Sequence, residues 1–272
     1  LVLQAMQPFY TDSLWCANPA SIHHAMGQAA LKAVDEAREQ VAYAIGAKPQ
    51  ELIFTSGATE SNNLAILGAS QFYMRQGRHL ITVATEHKAV LNVFEALMQQ
   101  GFKVTFLKPL ANGLIDIDAL EAAFQDDTIL VSIMHVNNEI GVIQDIPAIA
   151  AKVKAKGALL HVDAAQGFGP LGVNLQQLPV DLMSFSGHKI YGPKGIGALY
   201  IRKRPRVNLS PVIFGGAQEQ GIRPGTLATP LIVGFAKAML LANELREQEQ
   251  ARLKVYQDKL FHAIDKIGGI IW

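Results

Sequence analysis

Residues 129–163 read ILVSIM, HVNNEIGVIQD, IPAIAAKVKAK, G and ALLHVD in succession. The first run is short, apolar and of strand type. A helical pattern covers 146–156, and 158–162 is apolar again, closing on Asp163. A strand that is apolar on both faces belongs inside a parallel sheet covered from both sides. The same alternation extends outward in both directions. Helices are expected over 21–46, after Ser61 to about Arg75, and over 88–100 and 116–124, with strands over 52–55, 79–84, 103–107, 182–186 and 197–202. Ser21 is the expected N-cap of the first helix and Gly46 its C-terminal stop. A last long helical pattern runs over 230–267, its second half charged. The expectation is an α/β fold of three layers around a mostly parallel sheet.

Composition narrows the function classes. Half of the 272 residues are hydrophobic and 17% are charged, as in a folded globular chain. Lys plus Arg number 24 against 23 Asp plus Glu, a net charge of +1 that offers no footprint for nucleic acid or an anionic membrane. Cys16 is the single cysteine, so no intramolecular disulfide and no cysteine-based zinc site can form, and no metal is expected. No apolar stretch is long enough to span a bilayer, and no signal peptide is visible. A reducing compartment, the cytoplasm, is the expectation.

Ligands of open parallel sheets bind beyond the carboxyl ends of the strands. Five polar or glycine-rich segments occupy those places: Ser56-Gly-Ala-Thr-Glu60, Thr85-Glu-His-Lys88, His135-Val-Asn-Asn-Glu139, Asp163-Ala-Ala-Gln166 and Ser186-Gly-His-Lys189. The first sets small residues and hydroxyls at a strand-to-helix turn, where free N–H groups favour a phosphate, although a plain helix cap looks similar. Asp163 ends a buried strand, where a carboxylate needs a cation or donors. Lys189 follows the next strand, and a lysine amine that gives up its proton readily can form a Schiff base with a carbonyl. A carboxylate against a pyridinium nitrogen is the matching partner. A structural Asp163–Lys189 ion pair is the competing explanation.

The segments Asp163–Gln166 and Ser186–Lys189 resemble the cofactor core of fold-type-I pyridoxal phosphate (PLP) enzymes of the aminotransferase class V group. Further motifs resemble the cysteine desulfurases of the NifS/IscS type: Asn18-Pro-Ala-Ser21, Phe54-Thr-Ser-Gly-Ala-Thr-Glu-Ser61, Thr85-Glu-His-Lys88, His135-Val-Asn-Asn-Glu-Ile-Gly141, Gly187-His-Lys-Ile-Tyr-Gly-Pro-Lys-Gly195 and Arg223-Pro-Gly-Thr226. Their order along the chain is that of the family.

The resemblance implies a large PLP-binding domain over 21–240. An N-terminal segment, 1–20, would precede it, and 241–272 would be a connecting helix leading into a small C-terminal domain. Lys189 would hold the cofactor as a Schiff base, and Asp163 would bind the pyridine nitrogen and keep it protonated. His87 would stack on the ring and shuttle protons, and Gln166 would bond the phenolic oxygen. Ala58, Thr59, Ser186 and His188 would cradle the phosphate, with Thr226 serving the partner subunit of a homodimer. Asn138 would lie near the substrate carboxylate. The implied reaction converts L-cysteine to L-alanine and leaves sulfur as a persulfide on an enzyme cysteine, for iron–sulfur or thio-cofactor assembly through sulfur-acceptor scaffold proteins. That cysteine, and an arginine for the substrate carboxylate, would lie beyond Trp272. The family's opening strand would precede Leu1, and the run Gly268–Trp272 reads as the approach to another strand. Cys16 stands before a structural turn and reads as packing. A selenocysteine lyase, an aminotransferase or other class V enzyme, and a truncated cofactor-binding or dimerising protein without turnover are the alternatives.

Overall fold

The computed structural model describes residues 1–12 and 15–267; the 268–272 segment, expected to approach a strand, lies outside them. Two short helices, α1 (Val2–Met6) and α2 (Pro8–Thr11), precede α3 (Ala25–Ile45). The chain then alternates: β1 (Leu52–Thr55), α4 (Ala58–Tyr73), β2 (His79–Val83), α5 (Lys88–Gln99), β3 (Lys103–Leu107) and α6 (Ile117–Ala123). There follow β4 (Thr128–Met134), α7 (Ile146–Ala155), β5 (Leu159–Asp163), α8 (Phe168–Leu171), β6 (Leu182–Ser186), β7 (Gly197–Ile201) and the 37-residue α9 (Thr229–Asp265).

One expected boundary is corrected. His24, not Ser21, caps α3: its backbone is extended and its Nδ1 accepts the Gly27 N–H at 3.1 Å. The Ser21 carbonyl lies against the first turn of the helix, where a Cβ on Gly27 would come within 1.9 Å of it. The chain therefore crosses over that turn before the helix begins. Gly46 ends α3 in the left-handed region (φ 69°), the conformation that favours glycine there.

The sheet order is β1-β7-β6-β5-β4-β2-β3. β7 runs antiparallel to both its neighbours, pairing Gly197 with Thr55 on one side and with Ser186 on the other. The topology reverses between β2 and β4, since β2 leads outward to β3 while β4 leads to β5 and β6. The crevice outside that switch point is where such sheets bind ligands.

Alternation along the strands feeds two cores. Phe54, Ile81, Ile133, Val162 and Phe185 pack towards α3, α7 and α9, while Ile53, Leu80, Leu130 and Leu199 pack towards α4 and α5. Each large side chain so buried contributes about 2 kcal/mol. The open edge at β1 is sealed by one ion pair. Glu219 accepts the Phe54 N–H at 2.6 Å, and Arg38 donates to the Leu52 carbonyl at 3.0 Å while bonding Glu219. Those backbone groups would otherwise invite another strand.

Candidate active site

The carboxyl ends of β1, β2, β4, β5 and β6 surround a cavity of about 650 Å³, a size suited to a small molecule. Ala58, Thr59, His87, Asn138, Asp163, Gln166, Ser186, His188 and Lys189 all line it. Thr226 is exposed and is not part of this lining, and the resemblance gives it to the partner subunit.

At one end of the cavity α4 begins without a capping side chain. Gly57 holds the N-cap at φ 147°, so the first-turn amides of Ala58 and Thr59 are left for an anion. Gly197 of β7 lies so close beneath that a Cβ there would be 2.7 Å from Gly57 Cα. The one acid in this turn, Glu60, is already engaged by the Ser56 N–H at 2.5 Å and by Arg223 Nε at 2.9 Å. Burial pushes its carboxyl up, but those bonds and the Arg223 charge outweigh it and hold the group below the usual range. Opposite, Ser186 Oγ lies 3.0 Å from His188 Nδ1. Burial first, then the Lys189 and Lys194 charges, lowers the His188 pKa and favours its neutral ring.

Asp163 sits at the floor. Asn62 Nδ2 donates to Oδ2 at 2.7 Å and the Ala165 N–H to Oδ1 at 2.9 Å. Burial raises the Asp163 pKa; these two donors, and His87 electrostatically, oppose the rise. No cation pairs with it among the described residues, so the structural Asp163–Lys189 ion pair is not formed. Beneath it a polar chain crosses three strands. Ser132 Oγ meets His161 Nδ1 at 2.8 Å, and His161 Nε2 meets Ser184 Oγ at 2.9 Å. Burial drives His161 down to about 3, which keeps the ring neutral and makes it a spacer in the sheet.

His87 caps α5, its Nδ1 accepting the Ala89 N–H at 3.0 Å. The proton of the neutral ring is therefore on Nε2. Asn138 Nδ2 bonds Glu139 Oε1 at 2.9 Å, on a loop shaped by Asn137, whose Oδ1 accepts the N–H groups of Glu139 and Ile140. Lys189 lies in a single 3-10 turn (Gly187–Ile190) directly after β6, ended by Tyr191 in the left-handed conformation at φ 61°.

Sequence reasoning missed three lining or supporting residues. Asn62 is fully buried on α4 among apolar neighbours, and a polar residue on that face was the available signal. Glu86 stands within the Thr85–Lys88 motif, where nothing local marks its role. Lys194 shares the cavity wall with Lys189.

This donor set fits PLP. A buried carboxylate without a cation suits a protonated ring nitrogen. An uncapped helix start with Ser186 and His188 suits a phosphate, and Lys189 suits an aldehyde. Asn62 Oδ1, buried and unpartnered, adds an acceptor beside Asp163.

The aminotransferase class-V family profile matches residues 1–272. The chain is 54% identical over 269 residues to the cysteine desulfurase IscS of Salmonella arizonae, covering 99% of this chain and 67% of that protein. It is also 54% identical over 263 residues to IscS of Klebsiella pneumoniae, covering 97% and 65%. The chain thus spans about two thirds of the length of these relatives. Among solved structures, a NifS-like protein superposes with a TM-score of 0.94 at 40% identity, covering 98% of this chain and 72% of that one. DndA of Streptomyces lividans superposes at 0.87 with 41% identity, covering 96% and 73%. The profile match over the whole chain and the 54% identity to IscS show that the chain belongs to the aminotransferase class-V family.

Proposed function

We propose that this chain is the cofactor-binding part of a PLP-dependent cysteine desulfurase, which converts L-cysteine to L-alanine and passes the sulfur on as a persulfide for iron–sulfur cluster or thio-cofactor assembly. The observation that carries the reading is the Asp163 carboxylate. It is buried with two neutral donors and, among the described residues, no cation pairs with it, at the floor of a cavity that also holds Lys189. The 54% identity to IscS favours the desulfurase over the other class V activities.

PLP, when bound, supplies an electron sink for the substrate's α-carbon. The chain's own residues do the rest. Lys189 anchors the cofactor and, once displaced, moves the α-proton. Asp163 holds the proton on the ring nitrogen, and the Asn62 amide keeps its carboxylate oriented. Gln166 serves the phenolic oxygen, and the α4 amides with Ser186 and His188 hold the phosphate. His87 covers the ring and presents Nε2–H, and Asn138 orients the substrate carboxylate. The C–S bond of cysteine breaks as an S–S bond forms with a protein thiolate, so the products are alanine and a protein persulfide. We assign that thiolate to the small-domain cysteine implied by the resemblance. Cys16 is outside the cavity lining, its thiol donating to the Phe9 carbonyl at 3.3 Å. A homodimer, with Thr226 completing the partner subunit's phosphate site, hand-over to acceptor scaffold proteins and a cytoplasmic location belong to the same proposal.

The test is incubation of the PLP-loaded protein, including the small-domain cysteine assigned above, with L-cysteine and a thiol reductant, followed by quantitation of alanine and sulfide. Equal amounts of both are expected. Pyruvate released with sulfide in place of alanine would replace the reading with a β-eliminating lyase activity, and a keto acid formed without sulfide would replace it with an aminotransferase activity.

A further inference from the structure

Glu86 is buried at the switch point of the sheet, one residue before His87. The last β2–β4 register pair is Thr82 with Ser132. Two residues further along β4 the Met134 N–H is taken by the Glu86 side chain, Oε1 accepting at 2.7 Å. Met134 pairs in register with Asp163 and lines the cavity. A second tie lies beside the first, Asn137 Nδ2 donating to the Thr85 carbonyl at 3.1 Å. The turn that carries His87 is therefore fastened to the end of β4, next to Asp163, as well as to its own strand through Glu86 N–H and the Val83 carbonyl at 3.2 Å. Glu86 Oε2 is buried with no hydrogen-bond partner and faces a cavity of about 10 Å³, walled in part by Thr85, Asn137 and Gln144. Such a cavity has room for a single water.

We propose that Glu86 is a positioning residue, whose side chain spans from the His87 turn to the Met134 amide and so fixes His87 relative to Asp163. What this role needs is a buried acceptor of the right length. Charge is not needed: burial raises the Glu86 pKa well above the ordinary range, and the Asp163 charge raises it further against the opposing Met134 bond. Glutamine therefore replaces Glu86 in kind, whereas leucine fills the space without the tie.

The turnover arm of the test rests on the desulfurase reading; the spectroscopic arm does not. In the PLP-loaded protein labelled with ¹⁵N-histidine, the ring signals of His87 report its position in the cavity. Glu86→Leu is expected to shift or broaden those signals and to lower kcat with L-cysteine about tenfold, while KM changes less than about threefold. Glu86→Gln is expected to restore both to within about twofold of the parent protein. An unchanged His87 signal in Glu86→Leu overturns the proposal, and so does a Glu86→Gln protein as impaired as Glu86→Leu. If Glu86→Leu does not fold, Glu86→Asp, one methylene too short for the Met134 amide, decides by the same two results. A parent protein without desulfuration removes the proposed function and leaves the His87 signal to judge Glu86.

Discussion

Asn62 Nδ2 donates to Asp163 Oδ2 at 2.7 Å, joining the second turn of α4 to the end of β5 beneath the cavity. The bond links the start of α4 to Asp163, the two places that the proposed function gives to the phosphate and the ring nitrogen of one cofactor. A hydrogen bond to a buried charged group contributes about 1.5–3 kcal/mol. Asn62→Ala should weaken PLP binding roughly tenfold or more, as measured by equilibrium titration of cofactor absorbance. Parent-like affinity in the variant would mean that Asp163 is oriented by other groups.

Lys189→Ala should abolish the visible absorbance of bound cofactor while leaving PLP able to bind non-covalently. Asp163→Ala should weaken that binding and stop turnover. A spectrum unchanged by the first substitution, or full activity with the second, would contradict the assignment of these two ends of the site.

Glu86 makes a pH prediction with a definite sign. Its pKa is raised on folding, so the folded state holds a proton that the unfolded state releases. That contribution is fully present below the ordinary glutamate pKa and is lost as pH rises through the folded value. Glu86→Gln removes the loss. The melting temperature of the variant relative to the parent should rise as pH is raised above the ordinary glutamate value of about 4.3, read by differential scanning calorimetry. A difference independent of pH would show that Glu86 is ionised in the folded protein.

The Arg38–Glu219 pair gives a stability prediction. Glu219 is buried and takes both the guanidinium and the Phe54 amide. Glu219→Ala leaves a largely buried cation and an edge amide unpaired, a loss of about 3–5 kcal/mol. Removing both charges in Arg38→Met/Glu219→Leu should recover part of it, because the buried unpaired cation is then gone. Chemical denaturation of the three proteins decides the matter; equal stability of the single and double variants would mean that the loss comes from the Phe54 amide alone.

His24→Ala should cost roughly 1 kcal/mol by removing the N-cap of α3, whereas Ser21→Ala should leave the denaturation midpoint nearly unchanged. The reverse order would restore Ser21 as the cap.

Much of this molecule could be read along the chain because its information is local. Strands such as Leu182–Ser186 are short apolar runs, helices such as α5 carry a repeating apolar stripe, and the polar residues that follow each strand sit where a parallel sheet presents ligands. Periodicity and turn chemistry act over a few residues, so Lys189 and Asp163 were visible as candidates before any contact was known. Other features exist only between distant segments. The cap of α3 moved to His24 because a carbonyl folds over the first helical turn. Asn62 acquires a partner 101 residues away and Arg38 one 181 residues away. Glu86 reaches the Met134 amide only where β2 stops pairing with β4. Such contacts are set by strand order and by the burial of polar groups that must then find partners, and no local pattern encodes which segment will supply them.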